Sequence, residues 1–255
     1  MICRVGVPQA MASMKRWRKA QEFERSWWER RAAGIVAGAG TQISYHDWKA
    51  SEMEKRLHGL IDDNAKLSSN VLEIGCGPVG IVSALKWGKR YGLDPLEDFY
   101  YTNEVLTKHR RPEVHYLKGQ AEDIPFPDGF FYIVIADNVL DHVRAAEGVL
   151  SEVHRVLAPG GFLYLAVNIR RTWGSLIHSV LAELQIDKGH PYSFRLQSIR
   201  RSLTDHGFSI RSEAVSDYAE ARVADRNAPA LRKKFKGYAG LSEYIYYAVC
   251  SRKVS

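Results

Sequence analysis

Short apolar runs alternate with amphipathic segments through the middle of the chain. Apolar runs that predict β-strands occur at 71–75, 90–94, 114–119, 132–137 and 161–168. Segments with helical periodicity lie between several of them, at 79–88, 96–109 and 144–157. Because strands that alternate with helices form βαβ units, this region predicts an α/β fold with a parallel sheet and helices on both faces.

The last third of the chain follows a different rhythm. A longer, helical insertion is expected at 169–190, and a further helix at 196–206. The runs at 208–216 and 244–253 predict two closing strands, and no conventional crossover helix is recognisable between them. We therefore expect a mixed-direction edge on this side of the sheet.

Aromatic residues recur at helical spacing near the N-terminus. Trp17, Phe23, Trp27 and Trp28 predict an amphipathic helix over about 13–33. A Gly-rich break follows, and a second helix is expected over about 47–66 with Asp47 as its N-cap. We interpret 1–66 as an N-terminal helical cap that closes over a domain formed by 67–255.

The composition narrows the class of protein. Of 255 residues, 45% are apolar and 25% charged, as in an ordinary soluble domain, and no run is long enough to span a bilayer. The three cysteines are scattered, which argues against a disulfide framework or a metal site and fits a cytoplasmic protein. The net charge of +7 is compatible with nucleic acid, an anionic membrane or an acidic substrate, but it is spread out, with its densest stretch at Lys15 to Lys19.

A glycine-rich turn follows the first strand. Gly75, Gly77 and Gly80 form a GxGxxG pattern, which lets the backbone approach a bound nucleotide closely. Asp94 ends the second strand, where an acid accepts hydrogen bonds from ribose hydroxyls. These features indicate an adenosine-type ligand and leave a dinucleotide and S-adenosylmethionine both open.

An acid inside the first strand separates these two ligands. Glu73 precedes the first glycine by two residues, and a carboxylate there repels the pyrophosphate of a dinucleotide. S-adenosylmethionine has no phosphate and carries a sulfonium and an ammonium group. Glu73 therefore favours S-adenosylmethionine over the cofactor of a dinucleotide oxidoreductase.

The motifs of the central region resemble those of class I S-adenosylmethionine-dependent methyltransferases of the type 11-like branch. The resemblance covers 70–168 and rests on VLEIGCGPVG, YGLDP, GQAEDIPF, NVLDHV and RVLAPGG, in that order. It implies a Rossmann-like seven-stranded sheet of order 3-2-1-4-5-7-6 with strand 7 antiparallel. It also implies S-adenosylmethionine as cofactor and S-adenosylhomocysteine as product. The chain departs from the family at Tyr132, where an acid is usual.

The same resemblance implies roles for individual residues. The glycine motif, with Glu73, Gly75, Cys76 and Gly77, corresponds to the segment that contacts the methionine part. The remaining implied cofactor residues are Asp94 and Pro95 at the ribose and adenine, Ala121, Glu122 and Asp123 beside the adenine, and Asp137 and Asn138 near the sulfonium. Asp123 is the preferred partner of the adenine amino group.

The acceptor and the catalytic groups lie in the variable segments. The resemblance implies a substrate-covering insertion at about 169–195. A hydroxyl acceptor would be helped by a general base, for which His is suited near neutral pH. The candidates are His142, His178 and His190, and His190 is preferred because it follows strand 5. An aromatic side chain among Tyr45, His46 and Trp48 is expected at the methionine end or in the acceptor pocket.

The sequence favours a small-molecule or sugar hydroxyl as the acceptor. No DPPY or NPPY tetrad follows strand 4, and no cysteine stands in a Pro-Cys setting, which argues against methylation of nucleic-acid bases. Two alternatives stay open. One is an RNA- or protein-modifying methyltransferase that uses the basic N-terminal helix, and the other is a non-catalytic S-adenosylmethionine-binding protein. The oligomeric state has no signature in the sequence.

Overall fold

A computed structural model describes residues 13–37, 43–175, 177 and 193–253. Its seven strands form one sheet of order β3-β2-β1-β4-β5-β7-β6, which confirms the predicted order. The strands are β1 Asn70–Ile74, β2 Lys89–Asp94, β3 Val114–Lys118, β4 Phe131–Asp137, β5 Leu157–Ile169, β6 Phe208–Val215 and β7 Tyr244–Arg252. β7 runs antiparallel to both of its neighbours, β5 and β6, as expected.

Helices cover both faces of the sheet and its carboxyl edge. They are α1 Met14–Val36, α2 Ile43–Leu57, α3 Asp63–Ser68, α4 Glu97–Tyr101, α5 Glu104–Thr107, α6 Ala146–Val156, and then Leu196–Asp205, Tyr218–Asn227 and Leu231–Ala239. Among the described residues, none of these helices combines the length and apolar character needed to cross a membrane.

The prediction of a helix at 79–88 is wrong. Only a 3-10 turn, Ile81–Ser83, forms there. Gly80 has φ +75°, and the backbone N–H of Val82 donates to the Glu73 carboxylate (2.9 Å). Arg90 of β2 donates from Nη1 to the carbonyls of Val82 (3.4 Å) and Leu85, and because these acceptors are taken by a side chain, the segment does not continue as an α-helix.

Two other predicted helices differ in their bounds. The segment 96–109 splits into α4 and α5, because Asn103 is extended and its side chain caps the next turn by accepting from the Leu106 N–H (3.2 Å). α2 begins at Ile43, so Asp47 lies inside the helix and is not its N-cap. The connection between β6 and β7 also differs from the prediction, since it contains two helices.

α2 packs into the core of the sheet domain. Met53 and Leu57 are fully buried and belong to the same cluster as Val71 of β1 and Ile133 of β4. Burying each such side chain stabilises the fold by about 1.5–3 kcal/mol. α6 covers the opposite face with Val149, Leu150 and Val153. α2 therefore packs on one face of the sheet, and its Lys49 reaches Asp137 at the carboxyl end of β4, where the candidate site lies.

Candidate functional site

A cavity of about 350 Å³ lies at the carboxyl ends of β1, β2 and β4, under α1. Its volume falls in the range of small-molecule sites, roughly 300–1,000 Å³. The predicted residues that line it are Gly75, Asp94, Pro95, Ala121, Glu122, Asn138 and His142. Of the other predicted residues that the structure describes, Glu73, Cys76, Gly77, Asp123 and Asp137 are not part of its wall.

The backbone at Gly75 forms a cradle that only glycine fits. Its φ is +63°, and its N–H donates to the Leu93 carbonyl (2.7 Å). A Cβ at this position would lie 2.4 Å from Cγ2 of Val139. The loop after β1 thus leaves an open backbone surface facing the cavity, as a closely held ligand requires.

Asp94 joins the two turns that border the cavity. Its carboxylate accepts from the N–H of Gly77 (2.9 Å) and the N–H of Leu96 (2.9 Å). Burial raises the pKa of Asp94 to about 7, although both hydrogen bonds act in the opposite direction. The side chain is 5% exposed and lines the cavity, a position suited to the predicted ribose contact.

Glu73 and Cys76 are buried beneath the loop and are not part of the cavity wall, and their contact with the methionine part stays a prediction. The Glu73 carboxylate bonds the Val82 N–H, and a Cβ on Gly80 would come within 2.5 Å of it. Burial raises the pKa of Glu73 to about 7 and the pKa of the Cys76 thiol well above its usual range. Glu73 therefore stabilises the turn through this hydrogen bond, from the side that does not face the cavity.

After β3, the side chains that line the cavity are not all the ones that were predicted. Asp123, the preferred adenine partner, is exposed and lies outside the cavity wall. Glu122 lines the cavity, but its Oε1 accepts from the N–H groups of Arg144 (2.7 Å) and Ala145 (3.0 Å). Gln120, which sequence reasoning missed, also lines the cavity. Its amide can both donate and accept, which suits the edge of an adenine ring.

α1 supplies an aromatic wall. Trp17, Trp27 and Trp28 line the cavity, and the rings of Trp27 and Trp28 meet edge to face at 4.7 Å. Trp28 also packs edge to face on buried Tyr100 at 5.8 Å. Periodicity identified these aromatics as one face of a helix, and the structure turns that face toward the cavity.

The charges of the wall fit a cationic ligand. Glu24, Asp94 and Glu122 line the cavity, and the described lining residues include no Lys or Arg. Three carboxyl groups without a compensating cation disfavour a pyrophosphate and favour a sulfonium or an ammonium group. The residues present therefore fit S-adenosylmethionine and do not fit a dinucleotide.

A second, smaller cavity of about 190 Å³ adjoins the first. Four aromatic side chains line it, Tyr45 and Trp48 from α2 and Tyr164 and Tyr247 from the sheet, together with the charged groups of Lys49, Glu52 and Asp137. Tyr45 and Trp48 stack with their ring centroids 5.9 Å apart. These walls suit a flat or apolar molecule that leaves little room for water.

An ion pair lies in the wall of the second cavity. Lys49 Nζ is 2.5 Å from Asp137 Oδ1, with side-chain exposures of 19% and 7%. Burial raises the pKa of Asp137, and Lys49 opposes that shift. Asp137 therefore faces this cavity from the end of β4, beside the predicted sulfonium position, and Lys49 is a site residue that sequence reasoning missed.

Asn138 lines both cavities. Its φ is +58°, and no other non-glycine residue in the described part of the chain has a positive φ. Its N–H donates to the Ala166 carbonyl (2.7 Å), and its Oδ1 accepts from Nδ2 of Asn168. Backbone strain of this kind persists where the surroundings hold it, and it often marks a functional position.

Of the three histidines proposed as general bases, the structure describes one, His142. His142 lines the first cavity, with Nε2 3.8 Å from Asp141 Oδ1, and it is not part of the wall of the second. His178 and His190 lie outside the described residues. Two carboxyl groups of the described residues, Glu52 and Asp137, lie in the wall of the second cavity, and Asp137 is the one adjacent to Asn138 in the chain.

The two buried carboxyl groups predict a pH dependence of stability. Asp94 and Glu73 have pKa values raised to about 7 in the folded state, so their contribution is fully present below their unfolded pKa and is lost as pH rises through about 7. Relative to a D94N/E73Q variant, the free energy of unfolding should fall between about pH 4 and about pH 7. Urea unfolding followed by tryptophan fluorescence measures this difference. Parallel pH profiles for the two proteins would contradict it.

Comparison with known proteins identifies the central region. Residues 72–165 match a family model described as a methyltransferase domain. Demethylmenaquinone methyltransferase of Staphylococcus haemolyticus is 33% identical over 117 residues, covering 42% of this chain and 47% of the relative. Norajmaline N-methyltransferase of Rauvolfia serpentina is 30% identical over 112 residues, covering 41% and 38%. The chain thus matches less than half the length of either relative.

A solved structure shares the fold. The crystal structure described as a putative methyltransferase from Bacillus halodurans superimposes with a TM-score of 0.60 at 19% identity. The superposition covers 80% of this chain and all of that one.

Proposed function

Residues 72–165 form a methyltransferase domain of the class I type, which uses S-adenosylmethionine, and from this we propose that the protein methylates a small-molecule acceptor. The observation that carries the proposal is the position of Asn138 in the walls of both cavities. The first cavity suits the cofactor, and the second suits an acceptor. Asn138 stands where a methyl group would pass between them.

The first cavity would hold the cofactor through several groups of this chain. Asp94 would accept hydrogen bonds at the ribose, Gln120 would meet the adenine edge, and Gly75 would leave room for the methionine part. When bound, S-adenosylmethionine supplies a methyl carbon that the sulfonium has already activated. The remaining task of the protein is to position the acceptor and exclude water.

The second cavity supports an acceptor with a flat or apolar body and a hydroxyl group. Aromatic side chains in the wall can bury such a body. The Asp137 carboxylate can accept the hydroxyl proton, and Lys49 holds this carboxylate in place. The acceptors in the names of the two relatives, demethylmenaquinone and norajmaline, are also small molecules. We prefer this class of acceptor to a free sugar.

Calorimetry tests the cofactor part of the proposal. S-adenosylmethionine and S-adenosylhomocysteine should bind and NAD should not. Trp28→Ala removes part of the aromatic wall and should weaken S-adenosylhomocysteine binding by roughly tenfold, equal to about 1.4 kcal/mol. Trp173→Ala is the matched control, because Trp173 is 65% exposed and is not part of the cavity wall. Binding of NAD alone would overturn the proposal.

A transfer assay tests the acceptor part. The protein and S-adenosylmethionine are incubated with a panel of aromatic hydroxyl compounds and a panel of sugars, and S-adenosylhomocysteine is quantified. We expect turnover with members of the aromatic panel. Turnover confined to sugars would overturn the assignment of the second cavity to a flat or apolar acceptor.

A further inference from the structure

Two helices are inserted at the acceptor edge of the sheet. β6 ends at Val215, and antiparallel β7 begins at Tyr244, so both ends lie at the edge where β5 ends. Ile245 and Tyr247, at the start of β7, line the second cavity. The helices Tyr218–Asn227 and Leu231–Ala239 therefore occupy the side of the protein from which an acceptor would enter.

The helix Leu231–Ala239 carries an exposed apolar stripe. Leu231, Phe235 and Tyr238 are 81%, 66% and 70% exposed. Their spacing of four and three residues places them on one face of the helix. Single exposed apolar side chains are ordinary, but three on one face form a patch that indicates an interaction site.

The other side of this helix is fixed to its neighbour. A Cβ on Gly237 would lie 2.8 Å from the Arg226 backbone N, so the two helices approach closely there. The Nε groups of Arg222 (3.1 Å) and Arg226 (3.3 Å) both donate to the Gly237 carbonyl. The stripe cannot turn inward without breaking these contacts, and it is a built feature of the surface.

Basic residues border the stripe. Arg232, Lys233 and Lys234 are exposed, and the helix contains no acidic residue. At about 100° per residue, Lys234 flanks the stripe on one side and Arg232 on the other. Lys236 pairs with Glu243 at 3.5 Å. An apolar face bordered by Lys and Arg is the pattern of helices that lie in the interface of an anionic bilayer.

We propose that the helix Leu231–Ala239 docks the protein on an anionic lipid surface. Leu231, Phe235 and Tyr238 enter the boundary between headgroups and acyl chains, and Arg232 and Lys234, which flank the stripe, contact headgroup phosphates. The acceptor edge then faces the membrane, so that an apolar acceptor reaches the second cavity from the lipid. This delivery rests on the proposed function, whereas the docking itself does not.

Vesicle co-sedimentation tests the docking. The full chain should sediment with phosphatidylcholine vesicles that contain about one third phosphatidylglycerol, and much less with phosphatidylcholine alone. Leu231→Ser/Phe235→Ser should lower binding at least about tenfold, and Arg232→Glu/Lys234→Glu should lower both the binding and its salt dependence. Tyr101→Ser is the matched control, because Tyr101 is 78% exposed on α4, and it should bind like the wild type.

Four results would overturn the docking. They are no binding of the wild type to anionic vesicles, an equal loss in Tyr101→Ser, a dimer that disappears in Leu231→Ser/Phe235→Ser without any vesicle binding, and RNA binding without vesicle binding. S-adenosylhomocysteine affinity, measured on every variant, shows that each one is folded. Vesicle binding by a protein that binds no S-adenosylhomocysteine would overturn the proposed function and leave the docking intact.

Discussion

Replacing Gly75 with alanine should abolish measurable binding of S-adenosylhomocysteine and destabilise the fold. The new Cβ would lie 2.4 Å from Val139 Cγ2, and the residue would keep a φ of +63°. The left-handed backbone costs an L-residue about 1–2 kcal/mol, and overpacking costs about 1–3 kcal/mol more. Relief of this strain would displace the loop after β1, which forms part of the cavity wall. Calorimetry and urea unfolding measure the two effects.

Gly160→Ala separates the cost of the left-handed backbone from the cost of the overlap with Val139. Gly160 has φ +74°, but a Cβ there would meet nothing within 4 Å. This variant should lose only the stability that the backbone conformation costs, and it should keep the affinity of the wild type for S-adenosylhomocysteine. Gly75→Ala/Val139→Ala removes the overlapping methyl group and should recover part of the lost stability. Unchanged affinity in Gly75→Ala would show that the cradle does not contact the ligand.

The central strands of the sheet were predictable because they are buried on both faces. Strands in a parallel sheet covered by helices appear as continuous apolar runs, as at 71–75 and 132–137, and such runs survive differences in local context. The order of the strands and the direction of β7 came from the motif resemblance, and the structure confirms both. The helix predicted after Gly77 does not form, because the Arg90 side chain takes the carbonyls of Val82 and Leu85, an interaction that periodicity cannot register.

The candidate site was predictable where the backbone itself demands a residue type. Gly75 stands at a positive φ, and Asp94 bonds the N–H groups of two turns, so both requirements leave a local signature. Lys49 left none, because its partner Asp137 lies 88 residues away. Asp123, the preferred adenine partner, lies outside the cavity wall while Gln120 lines it, because a shift of a few residues after a strand decides which side chain faces the cavity.

Lys49→Met should lower the free energy of unfolding by about 3–5 kcal/mol, because it leaves the Asp137 carboxylate buried without its cation. Burial already raises the pKa of Asp137, and loss of Lys49 should raise it further. A carboxyl with a raised folded-state pKa contributes stability at low pH that is lost as pH rises through that pKa. The variant should therefore be weakest, relative to wild type, at neutral and higher pH.

Urea unfolding of a matched set of variants tests whether the unpaired Asp137 carboxylate causes the loss of stability. Lys49→Met/Asp137→Leu removes both charges and should recover most of the stability, since an apolar replacement of a buried ion pair is often neutral or favourable. Lys66→Met breaks the pair with Asp63, whose side chain is 93% exposed, and should change stability far less. The double variant should also lose methyl transfer, because the proton acceptor proposed for the substrate hydroxyl is gone. If its stability recovered while transfer persisted at the wild-type rate, Asp137 would be a structural group, and the general base would have to lie elsewhere in the chain.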